Sequence, residues 1–319
     1  MRFLVSRLSA LGDVACGLPV ATALKQGHPG CEVVWLCDRR FAGIPQLCPD
    51  IDHVEVLEKD PKKWKAQMQA LGEFEVGIDL QGLLKSALPI SYARCKQRVG
   101  YHWQREGSWL FTSAVKPDPS SIHVVDQYVD VARAIGGIAD RAVFNLVPSP
   151  EDVATVQDLL RDLGHEAGRP LVLANAGAGW GTKRWPPELY ARLVRDLGDR
   201  VTFAFLGTEA DRSAFNQVVE AWGSPEPQGI GAPKDMLGKT NVKQLVALIS
   251  LCNLHVAGDT GSTHIAAALG RPCIGLYTLT RPERCCPYGQ YDRSVSIAYP
   301  DVLSLARLTL KITPTPSGG

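Results

Sequence analysis

Short runs of branched apolar residues alternate along the chain with longer stretches in which apolar positions recur at helical spacing. That alternation predicts a parallel α/β architecture. In the first half, strands are expected at Arg2–Arg7, Cys31–Cys37 (CEVVWLC), His53–Leu57 and Glu75–Leu80. A helix over Val14–Gln26 is closed by Gly27 and Pro29, another starts at Leu83 after Gln81-Gly82, and a third covers Val124–Ile135. Val147-Pro148-Ser149-Pro150 breaks the pattern before a helix over Glu151–Leu163. A second series then begins, with strands at Leu171–Ala174, Val201–Leu206, Leu254–Ala257 and Cys273–Tyr277. Its helices are expected at Pro187–Leu197, Val242–Leu251 and Thr263–Leu269. Two such doubly wound halves imply a ligand cleft between domains, at the carboxyl ends of the strands.

Composition narrows the functional classes. A chain of 319 residues fits two domains at roughly 100–200 residues each. Apolar residues at 45% and charged residues at 21% are those of a folded globular protein. Lys plus Arg (34) against Asp plus Glu (33) leaves a net charge of +1, which argues against a dedicated nucleic-acid binder. No apolar run reaches the ~18 residues of a spanning helix, and Arg7 interrupts the opening run, unlike a signal peptide. A cytoplasmic protein is therefore expected. Nine scattered cysteines without a C-x-x-C pair read as reduced structural thiols, not as a disulfide framework or a zinc site.

Three loops follow a strand and open a helix. In Leu8-Ser9-Ala10-Leu11-Gly12-Asp13, Gly12 offers unusual backbone freedom, and Asp13 reads either as a helix cap or as a carboxylate able to accept a proton. Asn175–Trp185 carries three glycines and Lys183, a pattern suited to an anion or to an ordinary glycine turn. Thr182 stands where a dinucleotide fingerprint needs glycine, which disfavours a Rossmann oxidoreductase. Gly258-Asp259-Thr260-Gly261-Ser262-Thr263-His264 reads as a phosphate cradle at a helix N-terminus, or as a Ser/Thr cap.

Other segments resemble sites less well. Pro233–Thr240 nearly spells a P-loop, but proline replaces its first glycine, and Thr240 reads as a helix cap. Asp50-Ile51-Asp52 has the spacing of a metal-binding D-x-D but reads as a solvated turn. Lys85, Arg94, Lys96, Arg98 and Arg105 fall in a stretch free of Asp and Glu. They form either a solvated basic face or a landing surface for an anionic acceptor. Pro61-Lys62-Lys63-Trp64-Lys65 is open to the same two readings, with Trp64 at headgroup level in the second.

Five pieces carry a family resemblance: LSALGDV near the N-terminus, IDLQGLLKSA (Ile78–Ala87), GAGWGTKRWP (Gly177–Pro186), FLGTEAD (Phe205–Asp211) and GDTGSTHIAAALGRP (Gly258–Pro272). Together they make the chain resemble the ADP-heptose:lipopolysaccharide heptosyltransferases, glycosyltransferase family 9, over nearly its whole length. DLQGLLKSA and the segment His123–Arg133 look closer to heptosyltransferase I, whereas GAGWG looks closer to the second heptosyltransferase. The resemblance implies a GT-B fold, with an acceptor domain over 1–149 and a nucleotide-sugar domain over 150–298. It also implies a C-terminal helix over 299–312 returning to the first domain, ahead of a Pro/Ser/Gly tail at 313–319 expected to be disordered.

The activity so implied is inverting transfer of a heptose from ADP-heptose to a lipopolysaccharide inner-core acceptor of the Kdo-lipid A type, with no metal or other cofactor. The partners implied are a nucleotide sugar, a lipid-linked or anionic glycan, and the cytoplasmic face of the inner membrane. Carried over residue by residue, Asp13 matches the general base, Lys183 the lysine on the diphosphate, and Glu209 the acid on the ribose. Gly177, Ala178, Gly179, Lys239, Asp259, Thr260, Gly261, Ser262 and His264 fall on the nucleotide-sugar side. Ser9, Gly12, Gln81, Lys85, Arg98 and His123 fall on the acceptor side. Heptosyltransferase I has threonines where Ala178 and Gly179 stand, so backbone donors replace hydroxyls here. Another nucleotide sugar or glycan, and a non-catalytic nucleotide-binding protein of the same fold, are the alternative readings.

Overall fold

A computed structural model describes the chain except for residues 178–183, 224–228, 230, 278–280, 294–297 and 313–319. The chain divides into two compact units, Met1–Val147 and Pro148–Gly319. The first runs β1 (Arg2–Ser6), α1 (Leu11–Gly17), α2 (Pro19–Gly27), β2 (Glu32–Cys37), β3 (His53–Val56) and α3 (Pro61–Ala70). It continues through β4 (Glu73–Asp79), α4 (Leu84–Tyr92), β5 (Arg94–Tyr101), β6 (Ser113–Val115) and α5 (Val124–Arg133). Its strands are parallel in the order β3-β2-β1-β4-β5-β6, so the winding reverses between β1 and β4. α1, α2 and α5 pack together, as do α3 and α4. Leu4, Val34, Leu36, Phe74 and Ile90 form a buried core of this unit with Met68 of α3.

Three departures from the sequence reading have physical causes. The expected helix Val14–Gln26 is two helices, because Pro19 lacks the N–H that would continue the ladder; it stands instead at the first position of α2. Helix α3 was not anticipated, since Met68 is its one buried residue and gives no apolar stripe. β5 escapes pattern reading because only its last three residues are buried. Its polar half is held by charge across the strands: Arg94 pairs with Glu73 at 3.8 Å and Lys96 with Glu75 at 2.9 Å.

The second unit runs α6 (Pro150–Asp162), β7 (Leu171–Asn175), α7 (Pro187–Leu197), β8 (Thr202–Phe205), α8 (Arg212–Trp222) and β9 (Lys234–Asp235). Then follow α9 (Val242–Leu251), β10 (Leu254–Ala257), α10 (Gly261–Ala268), β11 (Cys273–Gly275), α11 (Pro282–Cys285) and α12 (Tyr299–Leu310). The parallel order β11-β10-β7-β8-β9 reverses between β7 and β10. The C-terminal helix expected to return to the first domain has its buried face in the second unit's own core. Tyr299, Val302 and Ala306 are buried there with Tyr190, Leu193 and Val194 of α7. No helix among the described residues is long and apolar enough to cross a membrane.

Candidate functional site

At the reversal of the first sheet, the loops after β1 and β4 meet. Asp13 is the third residue of α1 and not its cap, a position Ala10 takes. Its Oδ2 accepts from the Ala10 N–H at 3.1 Å, and its Oδ1 pairs with Arg7 at 2.8 Å. Arg7 is buried, donates to the Leu80 carbonyl at 2.7 Å and lies over the Tyr128 ring. The Asp13 side chain is 48% exposed, and each of its oxygens has lone-pair capacity left for a substrate hydroxyl. Gly12 lies in the first turn of α1 and is not left-handed, contrary to the freedom expected of it.

Beside it stands a network of side chains distant in sequence. Gln81 Oε1 accepts from the Leu8 and Ser9 N–H groups at 3.0 and 3.3 Å. Its Nε2 donates to Ser9 Oγ at 3.3 Å, and Lys85 Nζ donates to the same oxygen at 3.2 Å. The turn carrying Gln81 is shaped by buried Asp79, whose Oδ1 accepts from the Gln81 and Gly82 N–H groups. Burial pushes the Asp79 carboxyl above the usual carboxylate range, against those hydrogen bonds. Gly82 is left-handed (φ 69°), and a Cβ there would stand 2.4 Å from the Trp103 carbonyl oxygen, so the turn requires glycine. Lys85 also lines a cavity of about 800 Å³ with Leu8, Asp38, Arg39, Lys59 and Trp64. Trp64 donates its indole N–H to the Glu58 carbonyl at 2.7 Å and is half-buried, not displayed at a headgroup level.

Two expected acceptor residues do other work. Arg98 donates to the carbonyls of Ser91 and Ala93, closing the end of α4, and makes no hydrogen bond to the Ser9 group. His123 caps α5, its Nδ1 accepting from the Val125 N–H at 3.2 Å. With Arg94 and Lys96 each in an ion pair across the strands, Lys85 and Arg105 are exposed cations of the basic run 85–105 outside those pairs.

At the second reversal, Asn175 of β7 and Ala257 of β10 are register partners, so both glycine-bearing loops leave the sheet side by side. The Gly177 N–H donates to Asn175 Oδ1 at 2.9 Å, and a Cβ on Gly177 would lie 2.0 Å from Asp211 Oδ1. Ala178, Gly179 and Lys183 lie outside the described residues. Thr260 stands at the N-cap position of α10 without a side-chain cap hydrogen bond, and the helix begins at Gly261, two residues before the expected start. The first-turn amides of Gly261 and Ser262 are therefore donors without intrahelical acceptors, at the positive end of the helix dipole. The hydroxyls turn inward: Ser262 Oγ lies 3.0 Å from Thr260 Oγ1 and 3.1 Å from Nε2 of buried His255. His264 Nε2 stands 3.4 Å from Asp259 Oδ1.

The loops after β8 and β9 complete this edge. Glu209 is 68% exposed and paired with Arg212 at 2.8 Å, whose hydrogen bond holds its carboxyl below the usual range. Arg212 also binds Asp235, and the Gly238 N–H donates to the Gly207 carbonyl at 3.0 Å. Lys239 is exposed beside Gly238. The cap of α9 is Asn241, in a reciprocal box with Gln244, and not Thr240. Asp211, Arg212, Asp235 and His255, which the sequence alone does not single out, also stand at this edge. For Asp211 a signal existed, since T-x-x-D from Thr208 is capping-box spacing, and its Oδ2 accepts from the Thr208 N–H at 2.9 Å. In the D-x-D turn Asp52 is exposed and Asp50 half-buried, and both carboxylates are engaged: Asp50 accepts from Thr22 and Asn145, and Asp52 from Lys25 and the Val33 N–H. Among the described residues no three His, Cys, Asp or Glu side chains are placed to hold a metal ion. The nine cysteines are unbridged.

Comparison with known proteins agrees across the chain. The model of glycosyltransferase family 9 (heptosyltransferase) matches residues 64–309. The lipopolysaccharide core heptosyltransferase OpsX of Haemophilus influenzae is 28% identical over 306 residues, 92% of this chain and 83% of that protein. Lipopolysaccharide heptosyltransferase 1 of Escherichia coli is 26% identical, over 91% of this chain and 92% of its own. Among solved structures, a family 9 glycosyl transferase from Veillonella parvula superposes with a TM-score of 0.84 at 20% identity, covering 98% of this chain and 97% of its own. An E. coli heptosyltransferase solved with ADP gives 0.74 at 22%, covering 98% and 99%. The fold is that of the GT-B heptosyltransferases.

Proposed function

The chain belongs to glycosyltransferase family 9 and is a glycosyltransferase, and from that premise we propose that it transfers heptose from ADP-heptose to a lipopolysaccharide inner-core acceptor with inversion. The observation that carries the reading is the Asp13 carboxylate, half exposed at the reversal of the first sheet and fixed by Arg7 and Ala10. Names of relatives support the donor and acceptor: a lipopolysaccharide core heptosyltransferase at 28% identity, and an E. coli heptosyltransferase whose structure holds ADP.

In the proposed reaction the first unit holds the acceptor and the second the nucleotide sugar. The acceptor hydroxyl donates a hydrogen bond to Asp13. As its oxygen attacks the anomeric carbon, the proton passes to the carboxylate and the bond to the diphosphate breaks, with oxocarbenium character between. Attack opposite the leaving group inverts the centre. The charge growing on ADP falls to the Gly261 and Ser262 amides, the α10 dipole and Lys183, so the reading assigns no metal. Glu209 accepts from the ribose hydroxyls, with Arg212 fixing its carboxylate. Gln81, Ser9 and Lys85 position the acceptor, Lys85 facing its anionic groups across the cavity.

Calorimetry with ADP-heptose, UDP-sugars and GDP-sugars in parallel tests the donor, and ADP release with a Kdo-bearing acceptor tests turnover. ADP-heptose is expected to bind at least tenfold tighter than the others, with release dependent on acceptor and unchanged by EDTA. Tighter binding of another nucleotide sugar overturns the donor assignment. Binding of ADP-heptose without release, with every acceptor offered, leaves the non-catalytic reading.

A further inference from the structure

Large apolar side chains stand exposed together on one part of the first unit. Trp109 is 60% exposed, Leu110 75%, Trp103 48% and Leu84 41%. They belong to the β5–β6 connection and the first turn of α4, and the short Ser108–Leu110 turn packs on α4. This is not a loosely held loop. The Gly82 carbonyl accepts from the Arg105 N–H at 2.8 Å and from the Ser108 hydroxyl at 3.0 Å, pinning the connection to the Gln81 turn. Two indoles and two leucines on a pinned backbone make an apolar display of the kind that marks an interaction site.

We propose that this rim is a docking surface for an anionic lipid bilayer. The inference rests on the lipid-linked acceptor of the proposed function and adds where the lipid surface meets the protein. Charge selects the occupant. Lys85, Arg105 and Lys116 are exposed on the same stretch, and Glu106 is the one acid between Leu84 and Pro117. Indoles settle at headgroup level with leucine beneath them, and flanking lysine and arginine are attracted to anionic headgroups. A second copy of the chain fits this face less well, since a two-fold contact would set one basic face against an identical one. The surface also joins the site: Leu84 precedes Lys85, which donates to Ser9 and lines the 800 Å³ cavity. An acceptor anchored in the bilayer would thus present its sugar from the rim to the cavity.

Cosedimentation of the full chain with vesicles tests this, using phosphatidylglycerol and phosphatidylethanolamine at 1:3 (about a quarter anionic, where each basic contact counts) against pure phosphatidylcholine. The wild type is expected to bind the anionic vesicles at least tenfold better. The double variant Trp109→Ser/Leu110→Ser is expected to lose at least tenfold of that binding, with thermal midpoint and ADP release on a delipidated soluble acceptor unchanged. Failure of the wild type to bind, or undiminished binding by the variant, overturns the proposal. So does a wild-type dimer that the variant dissociates without altering vesicle binding, which would assign the rim to self-association. Absence of turnover on the soluble acceptor by the wild type overturns the functional reading instead, while the vesicle result still decides the surface.

Discussion

The carboxyl edges of the two sheets are assembled by different means. The first is made of side chains reaching across the fold: Arg7 to Asp13 and Leu80, Gln81 to the Leu8 and Ser9 amides, Lys85 to Ser9. The second is made mostly of backbone. Gly177 closes against Asp211, Gly238 against Gly207, and α10 presents its first-turn amides while its hydroxyls turn inward to His255. The difference suits two ligands. On the proposed reading the diphosphate would be met by backbone amides, and the acceptor hydroxyl would be recognised and deprotonated by side chains that can titrate.

The largest expected effect breaks that division if it fails. Asp13→Asn keeps the hydrogen-bond acceptor toward Ala10 but removes the base. Turnover should fall by about 10²–10⁴-fold, the usual contribution of a general base. ADP affinity measured by calorimetry should stay within about twofold, since every nucleotide contact assigned here lies in the other unit. A variant that loses ADP binding along with turnover would make Asp13 a structural residue and erase the contrast between the edges.

The same contrast explains what the sequence disclosed. The backbone-built edge is legible because its parts are contiguous: in the sequence, Leu171–Glu188 and Leu254–His264 each announce a strand, a glycine-bearing loop and a helix start in one window. The side-chain edge is not. Ser9 and Gln81 stand 72 residues apart, and no local pattern says that they share a hydrogen bond. Resemblance named both residues without giving the geometry. Where composition stood in for geometry it misled. Arg94 and Lys96 are exposed, as the solvated-face reading has it, but composition does not show that Glu73 and Glu75 on the neighbouring strand pair with them. Arg98 counted as an acceptor contact although two carbonyls at the end of α4 claim it. Pro19 was visible in the sequence, and its power to divide a helix outweighs the apolar pattern that runs through it.

The second edge should also betray itself by pH. His255 is wholly buried, and burial pulls its imidazole from the ordinary 6.5 down to about 4. In that window the unfolded chain binds the proton and the folded one does not, so stability rises with pH. It is fully present above 6.5 and drains away as pH falls toward about 4, where this one group should cost about 3 kcal/mol at ~1.4 kcal/mol per tenfold. Denaturant titrations at several pH values, read by hydrogen exchange of β10 and α10 amides, should show the slope. His255→Gln should flatten it there. An unchanged slope in the variant would place the acid sensitivity elsewhere.

The smallest effect sharpens the comparison most, because it separates packing from recognition within one residue. Gln81→Ala removes the acceptor for the Leu8 and Ser9 amides at 3.0 and 3.3 Å. Ser9 is half-buried, so water can reach its vacated amide, but the Leu8 amide is buried and is left without an acceptor, and the cost in stability should be about 1–3 kcal/mol. Gln81→Glu keeps an acceptor for both amides but replaces the donor to Ser9 with a second acceptor. Its stability should stay near the wild type, while its carboxylate stands close to Lys85 and repels an anionic acceptor. If the first edge recognises acceptor through these side chains, the glutamate variant should raise the acceptor KM more than the alanine variant does, with kcat held within about threefold, because no hydrogen bond links Gln81 to Asp13 among the described residues. An alanine variant with the higher KM would mean that Gln81 serves only to hold the loop after β1, and that recognition falls to the cavity-lining cations alone.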